Sequence, residues 1–157
     1  MKISQLSEIF LNALKSHMPD WTFVKGQRTF KKSDGDVRLF FHITQINHSV
    51  DFAAKGDVAV EIKSQGNRVC IVGAQLANIS GEGLQRFNVI DEQTAHSSAR
   101  DLYESFVHIG IPFLEEYQRP EKILETLKRG GSGAMLISPL RSQHFDQIRA
   151  LEGYLAA

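Results

Sequence analysis

The sequence predicts an α+β fold: an N-terminal helix, an antiparallel meander of about four strands, and C-terminal helices packed on one face of the sheet. Three observations carry this expectation. A helical period runs through the first residues, a β-patterned block extends from about Trp21 to Ala77, and a helix-patterned block extends from about Glu92 to the end. Strands and helices that are segregated along the chain, with no alternating βα units, indicate an α+β domain. With 157 residues, 42% of them hydrophobic, residues 1–157 can form one domain with a proper core.

Leu6, Ile9, Phe10, Ala13 and Leu14 recur at helical spacing, with Ser4 placed to cap the helix and Pro19 just beyond its end. From Trp21 to Lys32 that period is lost. Ser33-Asp34-Gly35-Asp36 is a turn signal, and Val37 to Ile46 follows, so the two stretches read as a β-hairpin. Val50 to Lys63 is the next strand; Val58, Val60 and Ile62 share its dry face, and Asp57, Ala59, Glu61 and Lys63 its wet one. Gly66-Asn67 turns the chain into Arg68 to Leu76, whose run Val69, Cys70, Ile71 and Val72 suits a covered strand. Links this short make the pairing antiparallel, because a parallel crossover needs about a dozen residues.

Asn78 to Asp91 reads as a loop around Ser80-Gly81-Glu82-Gly83, although Leu84, Phe87, Val89 and Ile90 have the composition of a short fifth strand. Ala95, Ala99, Leu102, Tyr103, Phe106 and Ile109 form a helical stripe that Gly110 and Pro112 are expected to end. A helical turn from Phe113 to Tyr117 follows. Pro120 opens another helix, carrying Ile123, Leu124 and Leu127 and stopped by Gly130-Gly131. Gly130 to Gly133 reads as a hinge and Ala134 to Ile137 as an edge strand too short for a helix; Ser138-Pro139 resembles the start of a last helix bearing Phe145, Ile148, Leu151 and Leu155.

Eighteen basic residues balance eighteen acidic ones, so no global field draws nucleic acid or an anionic membrane. A net charge near zero offers little colloidal repulsion, which favours a standing protein partner or a homo-oligomer. Cys70 is the single cysteine: it excludes an internal disulfide and a thiolate-rich metal site, and suits a reducing cytoplasm. Met1 to Leu14 lacks the apolar run of a signal peptide, and no window approaches the ~20 apolar residues of a membrane span.

No constellation names a reaction. The histidines are His17, His42, His48, His96, His108 and His144, and none shows a zinc spacing, so no metal and no cofactor are expected. His42, beside Phe40 and Phe41, reads as a structural strand histidine, and Cys70 as a core thiol. His48 and Asp51 are the candidate acid/base pair, set against the commoner role of capping a turn. Lys25, Arg28, Lys31, Lys32 and Arg38 concentrate charge on the first hairpin among Phe23, Phe30, Phe40 and Phe41. Cations among aromatics can bind single-stranded nucleic acid, whereas strand alternation ordinarily sends the aromatics to the core and the lysines to water.

The phrases RTFKKSDGDVRLFFHI and ARDLYESFVHIGIPFLEEYQRPEKILETL, in the order helix, strands, helices, resemble a bacterial α+β domain family of unknown function that has members like the immunity proteins of toxin systems. The resemblance covers most of Ser4 to Leu127, carried by the aromatic and basic first hairpin and by Gly110-Ile111-Pro112-Phe113; Ala134 to Ala157 has no counterpart. It transfers no catalytic residue. A complete foldable core with no convergent catalytic set points to a non-enzymatic cytoplasmic protein-binding domain, and the resemblance implies an immunity-type protein that neutralises a toxin partner. The alternatives are a small hydrolase or isomerase using His48 and Asp51, and nucleic-acid binding by the first hairpin.

Overall fold

A computed structural model describes residues 1–157. The chain runs α1 (Ile3–His17), β1 (Thr22–Val24), β2 (Thr29–Asp34), β3 (Val37–Asn47), β4 (Phe52–Ser64), β5 (Asn67–Gln75), α2 (Leu76–Ser80), β6 (Phe87–Val89), α3 (Glu92–Ser105), α4 (Ile111–Tyr117), α5 (Pro120–Arg129), α6 (Gly131–Ile137) and α7 (His144–Ala156). The fold is α+β, with an antiparallel sheet ordered β1-β2-β3-β4-β5 and β6 paired to the start of β4. Six strands replace the expected four for two reasons. Trp21 to Lys32 is split by a single 3-10 turn at Lys25–Gln27, where Arg28 takes a left-handed φ of 47°, and residues assigned to a loop supply β6.

Alternation builds the dry face. Across it, Phe23, Phe30, Phe41, Val58 and Ala74 stand in one row, Leu39, Val60 and Val72 in the next, and Val37, Ile62 and Cys70 in a third. Helices cover this side. Phe106 stacks on Phe41 at 4.2 Å and meets Trp21 edge-on at 5.5 Å, while Leu102 lies over the bare Cα of Gly56. The helical stripe thus lies over Phe41, Gly56 and Val58, while α4 packs on β4 and α6 and α7 on β5. One apolar cluster joins Leu6 of α1 to Leu151 of α7.

Four expectations about local structure are corrected. Ser4 is inside α1; Lys2 flanks that helix, and the Gln5 side chain accepts its backbone N–H at 2.9 Å. Gly110 and Pro112 do not end the helix, because Phe106–Gly110 widens into a π turn in which the Ile111 N–H reaches back to the Phe106 carbonyl. Gly110 is right-handed there, and a wide turn just ahead of Pro112 accommodates a residue with no N–H to give. Gly131–Ile137 is the helix α6, with Ala134 and Ile137 fully buried, and not a hinge and edge strand. Ser138 closes α6 and does not open α7; its hydroxyl donates to Gln147 and its carbonyl accepts from the His144 ring at 2.6 Å. No helix is long and apolar enough to cross a membrane.

Candidate functional site on the open sheet face

The other face of the sheet is the one that side-chain alternation leaves without a helical layer, and the strand register writes three rows across it. Thr29, His42, Asp57 and Gln75 form the first. Lys31, Phe40, Ala59 and Gly73 form the second, and Ser33, Arg38, Glu61 and Ile71 the third. The middle row is low on β4 and β5, where Ala59 carries one methyl and Gly73 none, and rises at Phe40 and Lys31. A Cβ on Gly73 would lie 2.5 Å from the Val58 carbonyl oxygen, so nothing larger fits. The result is a shallow trough between a polar row and a charged row.

In the polar row the Thr29 hydroxyl gives its one proton to the Gln27 carbonyl at 2.8 Å, so the 2.8 Å contact with His42 is made by Nδ1–H donating to that hydroxyl. Nε2 of the same ring makes no hydrogen bond within the chain. Asp57 sits across the strand pairing from it. Its Oδ1 is buried and accepts no hydrogen bond, an arrangement that costs of order 1–3 kcal/mol. Burial raises the Asp57 carboxyl above its ordinary range, against smaller opposing pulls from His42 and Lys55. In the charged row Glu61 is buried at 5% exposure and held by the Arg68 guanidinium at 2.6 Å. That acid is satisfied and Asp57 is not.

Where β5 runs toward α6 the trough ends in a cleft of about 610 Å³, lined by Asp57, Gly73, Gln75, Asn78 and, from α6 and the residues just after it, Met135 and Pro139. A second cleft, about 490 Å³, opens between the β2–β3 hairpin and α4, with Trp21, Leu39 and Ile111 on its walls and Lys32, Glu115 and Arg119 on its rim. His17 and His96 face a groove between α1 and α3, and His108 a smaller one beside the π turn. No three of the histidine, cysteine and acidic side chains are grouped to hold a metal ion.

The predicted acid/base pair forms as a contact: His48 Nδ1 lies 2.8 Å from Asp51 Oδ1. The His48 backbone N–H also donates to the Asp51 carbonyl, so the two residues close the exposed β3–β4 turn, and neither lines any of the molecule's five principal clefts. The five hairpin cations do not converge. Lys31 and Arg38 stand on the open face, Lys32 turns to the helix side over the Trp21 ring at 5.7 Å, Lys25 lies in the 3-10 turn and Arg28 caps it. Cys70 is a core thiol on the dry face, pushed up to about 11 by burial. Sequence reasoning missed the pairing of His42 with Asp57: alternation put Asp57 on the wet face, but only the register names its neighbour.

Compared with protein-family models, curated proteins and solved structures, the chain finds no match.

Proposed function

We propose that this chain is a non-enzymatic protein-binding module that meets its partner with the open sheet face, acting in the bacterial cytoplasm as an immunity-type protein that neutralises a toxin. The observation that carries the reading is the trough of Phe40, Ala59 and Gly73 between rows of His42, Asp57, Arg38 and Glu61. A short apolar strip, ended by Lys31 over the Phe40 ring at 5.7 Å and bordered by charges of both signs, suits a protein surface, which combines apolar contact with a polar rim. A polyanion calls instead for cations gathered along one path, and here the hairpin cations point in different directions. Acid/base catalysis needs a concave site around the pair, and His48 with Asp51 close an exposed turn.

The resemblance of the first hairpin and the α3–α4 segment to immunity-like proteins supports the choice of partner. The test is capture from native cells with the tagged chain, alongside Ala59→Arg, which fills the trough without touching the core. The wild-type chain should retain a specific protein that Ala59→Arg releases. Equal retention by both, or no specific protein under gentle conditions, would sink the reading.

A further inference from the structure

We propose that the cleft between the end of β5 and α6 is a lysine pocket. The side chain of a lysine on the docked protein enters it, its methylene stem against Met135, Leu136 and Pro139 and its ammonium beside Asp57. The inference rests on the open-face reading above and names the chemistry of the partner at one point of that face.

Charge sets the sign of the guest. Asp57 is the sole ionisable residue lining the cleft; Gln75, Asn78 and Ser132 add neutral oxygens, and the remaining lining is apolar. Glu61, the other acid of the trough, is already held by Arg68, whereas Asp57 is in no ion pair of the chain. Geometry then separates the two basic side chains. A guanidinium binds best as a planar fork that needs both carboxylate oxygens, and Oδ1 of Asp57 is buried. An ammonium needs only one of them and can direct its other protons to amide and hydroxyl oxygens. Lysine also carries the longer unbranched apolar stem, which a wall of Met135, Leu136 and Pro139 can cover.

The test is an amide NMR titration of the full chain with Nα-acetyl-lysine methylamide, and with its norleucine counterpart, which keeps the stem and lacks the ammonium. The lysine derivative should move the amide signals of Gly73, Ala74 and Asn78, binding about tenfold or more tightly than norleucine. Asp57→Asn, whose spectrum elsewhere should overlay the wild type, should abolish that preference. Equal binding of the two probes, a preference that survives Asp57→Asn, or no response would overturn the pocket. Cadaverine binding more tightly than the lysine derivative would assign the cleft to a free amine and overturn the peptide reading. The two proposals fail separately. Lysine binding that depends on Asp57, with capture that ignores Ala59→Arg, leaves the pocket and removes the docking face; the reverse leaves the face and removes the pocket.

Discussion

Phe106 shows what a single side chain contributes here. It is 1% exposed, stacked on Phe41 and met edge-on by Trp21, so truncation removes an aromatic ring from where the π turn, β3 and the segment before β1 meet. Phe106→Ala should lose about 3–5 kcal/mol in chemical denaturation through transfer and cavity terms. Lys32→Ala should lose at most about 1 kcal/mol, since an exposed ammonium over the Trp21 ring is a weak contact. Comparable losses in the two variants would mean the ring is not packed as described. Asp57 acts in the opposite sense. Its folded carboxyl binds a proton more tightly than the unfolded one because burial opposes charge, so the folded state gains protons relative to the unfolded state as pH falls. The penalty is complete above the raised folded value and relieved below the ordinary unfolded one. Asp57→Asn should therefore raise the urea midpoint at neutral pH, with the gain shrinking as pH is lowered between those two values. A gain independent of pH, or a loss at neutral pH, would contradict a half-buried carboxylate whose Oδ1 is unpaired.

At the scale of elements the π turn is the informative departure. A Cβ on Gly110 would meet Phe106 Cδ1 at 2.9 Å, Val58 Cγ1 at 3.0 Å and Leu76 Cδ2 at 3.2 Å, so this glycine lets the helix lie against β4. Helix propensity alone says Gly110→Ala should stabilise by ~0.5–1 kcal/mol, whereas overpacking costs ~1–3 kcal/mol. The crowded neighbours decide the sign, and thermal denaturation should show a lower midpoint. A stabilised variant would mean the segment has room to spare. The same glycine explains what was legible in the sequence. Alternation and helical period located the strands and the amphipathic stripe because burial on one face imposes them. Gly110 and Pro112 carry a termination signal that local reasoning has no means to override, since only the packing against Val58 and Leu76 shows the helix continuing. Gly130 to Gly133 misled similarly. Gly130 does close α5 with a φ of 68°, but Ala134 and Ile137 gain enough burial to hold α6 despite Gly131 and Gly133. The open-face rows were half legible: side-chain period assigned Asp57, Ala59 and Glu61 to one face, while the partner of each depends on turn lengths, and a slip of one residue would send every side chain to the other face. The turn after β4 illustrates the point, because the central residues are Gln65 and Gly66, one position earlier than the Gly66-Asn67 signal.

Across the whole molecule, the helices gather on one side of the sheet, and this leaves the other side free to meet a partner. It also ties the last helix into the common core. Leu151 of α7 is fully buried in the cluster that contains Leu6 of α1, and the Tyr154 hydroxyl donates to the Asp36 carboxylate at 2.9 Å in the β2–β3 turn. Lys128 of α5 pairs with Glu152 of α7 at 3.0 Å, and the Gln147 amide donates to the Ile71 carbonyl on the outer edge of β5. The last helix therefore contributes to the core and shields a strand edge that would otherwise offer itself to another chain. Such a structure should unfold as a unit. In urea, Trp21 fluorescence, which reports the packing against Phe106, and far-UV circular dichroism, to which α5, α6 and α7 contribute, should follow one coincident transition. Leu151→Ala should shift both curves together to lower urea, by about 2–5 kcal/mol, although Leu151 belongs to the last helix and Trp21 precedes the first strand. If the helical signal moved in that variant while the Trp21 signal stayed in place, α5 to α7 would be a separately unfolding unit and the common core would be refuted.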